Sequence, residues 1–219
     1  MFVMAVGLLL QLTTLYAQNE MEYKMEIGGM LGGTFYMGDA NTSQLYKNTN
    51  LAAGIVARYN INPRMAIKGN LNYGKISGDA DKLRQLYGEI PDQDWKFSNA
   101  LVDLSGTYEL NFFGFGTGEG YKGNKRLTPY IQLGFGFTYC YKVFTTNFPV
   151  GVGLKYKLKD RLNIGLDWTM HVSLSDKLDG ISDPFKIESG FLKNTDAYSY
   201  TMIYISYDFL PKLRKCNND

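Results

Sequence analysis

Residues 161 to 174 alternate without interruption. Leu162, Ile164, Leu166, Trp168, Met170, Val172 and Leu174 are apolar, while Arg161, Asn163, Gly165, Asp167, Thr169, His171 and Ser173 are polar or glycine. A period of two puts these sets on opposite faces of one extended strand, whereas a helix would scatter both around its circumference. At about 3.3 Å per residue the segment extends roughly 46 Å. Tilted by about 45°, a strand of that length crosses the hydrocarbon core of a bilayer. Whether it does so depends on how many partners repeat the pattern.

Seven other segments repeat it: 23–37, 51–61, 65–73, 100–112, 131–141, 148–158 and 198–209. In the second of these, Leu51, Ala53, Ile55, Ala57, Tyr59 and Ile61 share one face; in the sixth, Phe148, Val150, Val152, Leu154, Tyr156 and Leu158 do so. Eight two-faced strands in 219 residues, with mean hydropathy of −0.22, exclude a bundle of membrane helices. The net charge of +2, with no basic stripe, gives no footprint for nucleic acid.

Period alone does not say which face of such a barrel meets water, so the opposite face has to decide. It carries Gly28, Gly32, Gly54, Gly74, Gly134, Gly136, Gly151, Gly153 and Gly165 among long polar side chains. Glycines make room for large neighbours in a narrow interior, and a solvated exterior has no such need. The polar face therefore points inward and the apolar face toward lipid; a soluble barrel of the lipocalin type would reverse them. Outward rings strengthen the choice by clustering near strand ends, with Tyr23, Tyr59, Tyr108, Phe112, Tyr156, Tyr207 and Phe209 at one interface. Phe35, Tyr73, Tyr139, Tyr141 and Phe148 form the other belt. The expected fold is all-β: an eight-stranded antiparallel transmembrane barrel with a polar, filled lumen. Inward charges must be paired there, because an isolated buried ion is costly. The expected lumen network is Glu26, Arg58, Lys68, Asp103, Glu109, Arg161, Asp167 and His171, with Asp103 and Asp167 each within salt-bridge reach of inward bases such as Arg58, Lys68 or Arg161.

The uncharged apolar segment 1–17, ending Tyr16-Ala17, reads as a secretory signal peptide, although it lacks a positive leader. Residues 18–211 then form the barrel, and 212–219 a periplasmic tail. Tight connections at 60–64 and 159–160 against long ones at 39–50, 77–96 and 175–197 match an outer-membrane barrel with periplasmic termini. The connection 142–147 is short for the cell-surface side, and 113–127 is long for the periplasmic side. A short surface helix fits 79–87. Cys140 and Cys216, one in a strand and one in the tail, make a poor disulfide framework.

The stretches EIGGMLGGTFYMGDAN (26–41) and NTNLAAGIVARYNINPRMAIKGNLNYGKISGD (48–79) resemble the small outer-membrane barrel family that includes PorG, a component of the type IX secretion apparatus. The matching positions are Glu26, Gly28, Tyr36, Gly38, Asp39, Asn50, Gly54, Arg58, Tyr59, Asn60, Arg64, Ala66, Lys68, Gly74, Gly78 and Asp79. Beyond the first third, only the barrel pattern matches. The resemblance implies a structural or scaffolding role, in contact with a periplasmic ring of the secretion machine.

The residues also admit other functions. His171 and Ser173 are similar to the His-x-Ser pair of outer-membrane lipid A deacylases, in which His is the base for the Ser nucleophile. Alternation turns both inward here, and Leu174-Ser175 replaces the usual Asn-Ala, so a lumen histidine beside an acid is the plainer reading. Gly114 to Gly120 lacks the Gly-Lys-Ser/Thr ending of a phosphate loop and reads as a flexible turn. Asp79 with Asp81, and Asp92 with Asp94, are better explained by capping and solvation than by calcium. No cofactor or metal motif emerges. A surface adhesion barrel has no motif in its support, and eight strands leave no room for a general porin channel. A partner-docking surface is more concrete. Lys122, Lys125 and Arg126 in the long connection join Lys212, Arg214 and Lys215 of the tail near one barrel mouth. Exposed charge of one sign steers an acidic partner.

Overall fold

The computed structural model describes residues 23–37, 49–79, 96–117, 124–140, 143–174 and 197–211. The strands are β1 (Tyr23–Met37), β2 (Asn50–Asn62), β3 (Met65–Asp79), β4 (Lys96–Asn111), β5 (Leu127–Cys140), β6 (Val143–Lys157), β7 (Leu162–Ser173) and β8 (Ala197–Pro211). Each pairs antiparallel with its sequence neighbours, and β1 closes on β8 from Tyr23↔Pro211 to Met37↔Ala197. Closure leaves no strand edge, the condition a sheet must meet in lipid. The architecture is the eight-stranded antiparallel barrel that the alternation predicts. The signal peptide, the tail, the surface helix and most of the paired aspartates (Asp81, Asp92, Asp94) lie outside the described residues.

Turn chemistry sets the hairpins at the mouth that carries the ends of β1 and β8. Between β2 and β3, Pro63 stands outside the ladder and the Arg64 amide donates to Asn62 Oδ1 at 2.8 Å, a side-chain turn that Asn forms readily. At the opposite mouth several strands run further than the alternation suggested. Residues 143–147, expected as a connection, belong to β6, and Val143 pairs with Cys140. The polar run Thr145-Thr146-Asn147 looks like a turn, yet Thr145 and Asn147 are inward residues of a continuing strand.

The exterior is apolar over the whole circumference. Ile27, Ile55, Leu71, Leu104, Leu133, Val152, Leu166 and Ile203, one from each strand, are all exposed. A continuous apolar exterior of this extent does not occur on soluble monomers. It marks a barrel that spans a membrane, with Tyr59 and Tyr108 near one rim and Tyr73, Tyr139 and Phe144 near the other. Two expected belt residues are corrected: Tyr23 is 5% exposed and Phe35 fully buried. Parity sets the face a side chain leaves from, but near a strand end a neighbouring segment can cover it.

Inside, the filling is part polar and part apolar. Met30, Val56, Ile76, Leu101, Cys140, Tyr198, Tyr200, Met202 and Tyr204 form one buried cluster. Two inward glycines show why the interior needs residues without a Cβ. A Cβ at Gly153 would lie 2.2 Å from Cζ of Tyr130, and one at Gly165 would lie 2.4 Å from Cζ of Tyr204. Gly153→Ala is therefore expected to destabilise the barrel by about 1–3 kcal/mol through overpacking. The measurement is urea unfolding in detergent micelles, and adding Tyr130→Leu should recover part of the loss.

Candidate functional site

Among the described residues, two regions hold groups capable of chemistry or recognition: the charged lumen, and the mouth where β1 begins and β8 ends. The lumen charges are distributed along the barrel axis in sets. Nearest the mouth where β1 begins and β8 ends, Lys157 on β6 donates to Asp208 Oδ2 at 2.6 Å, and Asn163 Nδ2 donates to Asp208 Oδ1 at 2.8 Å. Next, Arg58 on β2 bridges two acids, binding Glu26 of β1 through Nη1 and Glu109 Oε2 of β4 through Nε at 2.9 Å. Lys155 also binds Glu109, and Ser206 donates to Glu26. Arg58 and both its carboxylates are buried, so planar guanidinium geometry supplies directed donors where water is excluded.

Further along, Lys68 on β3 binds Asp167 on β7 across the lumen. Gln132 Nε2 donates to Asp167 Oδ1 at 2.5 Å and to Thr169 Oγ1 at 2.9 Å. Toward the opposite mouth, Asp103 Oδ2 accepts from Tyr198 Oη at 2.8 Å and from Asn147 Nδ2 at 2.7 Å. His171 Nδ1 lies 3.4 Å from that oxygen and 3.2 Å from Asn147 Oδ1. A cavity of about 10 Å3, room for one water, is bordered by Asn70, Asn72, Asp167, Thr169, His171 and Tyr200.

Seven of the eight expected lumen residues, Glu26, Arg58, Lys68, Asp103, Glu109, Asp167 and His171, are buried inside. Arg161 is not among them. It is exposed just before β7, where its guanidinium lies 4.4 Å from the Tyr23 ring centroid and donates to the hydroxyls of Tyr23 and Tyr207. The alternation continues one residue past the strand it describes: β7 begins at Leu162, so residue 161 belongs to the turn. The basic neighbour of Asp103 is His171 and not Arg58, Lys68 or Arg161, so the lumen histidine does stand beside an acid. Strand alternation fixes faces, but the partner across a lumen depends on strand stagger. The same parity could have found Lys157, the inward partner of Asp208.

His171 and Ser173 are 1% and 0% exposed and face inward. The Ser173 hydroxyl lies 3.5 Å from Thr145 Oγ1, inside the barrel wall. An acyl chain in the surrounding bilayer has no access to either group.

The long connection between β4 and β5 departs most from expectation. Its first arm is not a solvated turn: Phe115 and Thr117 are 4% and 1% exposed. The Phe115 ring sits beneath the lumen charges, 4.9 Å from Lys155 Nζ and 4.8 Å from Lys157 Nζ, a cation–π arrangement on both ammonium groups. The Phe115 amide donates to Pro63 O at 2.9 Å, and Thr117 Oγ1 both accepts from the Tyr23 amide and donates to Tyr23 O, each at 3.0 Å. The hydroxyl thus fills positions that a neighbouring strand would take. No sequence signal marks Phe115 as a cap, because its contacts come from Pro63 in the β2–β3 turn and from Lys155 and Lys157 on β6. The returning arm presents Lys125 and Arg126 as exposed residues; Lys125 Nζ lies 5.8 Å from the Phe113 ring centroid. The other proposed docking residues, Lys122, Lys212, Arg214 and Lys215, lie outside the described residues.

Among solved structures, the chain is similar to Neisserial surface protein A (NspA), at 11% identity and a TM-score of 0.48, covering 84% of this chain and 97% of that one. It is similar also to the outer membrane protein OprG from Pseudomonas aeruginosa, at 10% identity and 0.48, covering 87% and 98%. Ail, the attachment invasion locus protein of Yersinia pestis, solved in complex with the heparin analogue sucrose octasulfate, shares 14% identity at a TM-score of 0.45, covering 87% and 99%. No curated protein matches the chain. The family described as "Domain of unknown function (DUF6089)" matches residues 2–218, and the chain belongs to that family.

Proposed function

We propose that this barrel is a non-catalytic scaffold of the outer membrane. Its termini are periplasmic, and it docks a periplasmic protein of a PorG-like type IX secretion assembly through the mouth that carries the chain ends. The observation that supports this reading is the β4–β5 connection. Its first arm is pinned by Phe115 and Thr117, and the returning arm is held at the rim by the Lys125 amide, which donates to Gly114 O at 3.1 Å, and by Arg126 O, which accepts from the Lys157 amide at 2.8 Å. A pre-positioned arm loses little conformational entropy when a partner binds, and its charge favours an acidic surface.

Reversing Lys122, Lys125 and Arg126 to Glu tests the proposal. The barrel should still assemble and show its heat-modifiable gel shift, because the described residues of this set lie outside the lumen. Co-purification of the periplasmic partner should fall about tenfold or more, since exposed charge pairs contribute up to roughly 1 kcal/mol each and here change sign. Full retention of every partner at moderate salt would exclude docking at this arm.

A further inference from the structure

We propose that Arg161 is a phosphate clamp, holding at the barrel rim the headgroup of an anionic phospholipid whose acyl chains lie on the apolar exterior. Arg161 is exposed in the turn between β6 and β7, and among the described residues its side chain bonds two phenols and no carboxylate. Its charge is therefore not answered by an acid, unlike those of Arg58, Lys68, Lys155 and Lys157.

Both the backbone and the guanidinium are fixed. The turn is closed by the Leu158 amide, which donates to Leu162 O at 2.9 Å, and by the Leu162 amide, which donates to Lys159 O at 3.2 Å. Arg161 O accepts from the Asp208 amide at 2.8 Å, which ties the turn to β8. The guanidinium stands 4.4 Å from the Tyr23 ring centroid and donates from Nη1 to Tyr207 Oη at 3.3 Å and from Nη2 to Tyr23 Oη. Tyr23 is held in turn by Thr117 Oγ1, which bonds both its amide and its carbonyl. A guanidinium fixed by neutral partners keeps its charge and loses little entropy on binding. Arginine has five N–H donors, and the phenols take one from each Nη, so the fork retains donors for an outside phosphate, which it matches two bonds at a time.

The surroundings favour a phosphate carried by a lipid. Tyr207 is an exterior residue, 47% exposed at the rim end of β8, so the guanidinium that bonds it stands at headgroup level. Leu158 of the same turn and Leu210 near the end of β8 are exposed, and the outward series Leu162, Ile164 and Leu166 leads from the turn toward the middle of the bilayer. A headgroup on Arg161 thus has apolar surface below it for its chains. The turn exposes two bases, Lys159 and Arg161, against one acid, Asp160. That balance selects a phosphate with no ammonium of its own, as in phosphatidylglycerol, over a zwitterionic headgroup.

Native mass spectrometry of the intact barrel, released from micelles doped with phosphatidylglycerol or phosphatidylcholine, tests this. The wild type should retain phosphatidylglycerol about tenfold more tightly. Arg161→Gln should lose that preference and keep the heat-modifiable gel shift, because Arg161 lies outside the lumen network. Arg161→Lys should restore only part of it, since an ammonium lacks the fork. Tyr207→Phe, which removes one positioning bond, should weaken retention about threefold. Arg64→Gln, the same change of charge in the β2–β3 turn of that mouth, should leave retention intact. Equal retention of the two lipids by the wild type would overturn the clamp, even if no variant assembled. An equal loss in Arg64→Gln would overturn it too, by making the attraction a general effect of charge. Displacement of the lipid by an equal concentration of free glycerol phosphate would do the same, by making the site one for soluble phosphate.

Discussion

Arg58→Met should lower the temperature at which the barrel loses its heat-modifiable gel shift by on the order of 10 °C. Arg58 is fully buried and is the ion that Glu26 and Glu109 share, on strands β1 and β4. Methionine fills most of the volume but leaves Glu26 without a basic partner that binds it directly, and Glu109 with Lys155 alone. Removing one side of a buried pair costs about 3–5 kcal/mol, because the remaining charge is stranded away from water. For a domain of this size each kcal/mol corresponds to roughly 2–4 °C. Adding Glu26→Gln to Arg58→Met should recover part of the loss, since it removes the stranded charge together with its partner. If the single variant unfolds at the wild-type temperature, the lumen network is not a principal source of stability.

Leu133→Arg should be nearly as damaging, for a reason that concerns the surrounding solvent. Leu133 is 61% exposed near the middle of β5, where a soluble protein would accept arginine with little effect. In a bilayer the same change near the midplane costs about 2–4 kcal/mol, falling to about 0–1 kcal/mol at the interface. Leu127→Arg, at the rim end of the same strand and also exposed, is the control. Folding into vesicles of defined lipid, followed by urea titration, should separate the two variants clearly. Equal and small costs at both positions would contradict a lipid-facing exterior.

The lumen network was partly legible in the sequence, and its misreadings are informative. Glu26, Arg58 and Glu109 could be placed inside because a two-residue period assigns every strand side chain to a face. That Arg58 joins Glu26 to Glu109, and that Asp103 is left to His171, could not be read: these partners lie 32, 51 and 68 positions apart, brought together by closure and stagger. Arg161 continues the alternation in sequence, yet it sits in a turn where no lumen encloses it. The docking arm divides in the same way. Its length and basic residues are visible in the sequence, whereas the burial of Phe115 against Lys155 and Lys157 depends on a strand about forty residues further on.

By itself, the sequence determined the number of strands, the face that residues away from the strand ends occupy and the orientation of the apolar face toward lipid. These properties follow from a local period and from the need of a narrow interior for glycine, as Gly153 beside Tyr130 and Gly165 beside Tyr204 illustrate. The tertiary structure alone decided which charges share an ion pair, how far the strands run at the opposite mouth, and that the β4–β5 connection folds back as a cap. Each of these depends on distances between residues remote in sequence, and such distances exist only once the eighth strand has closed on the first.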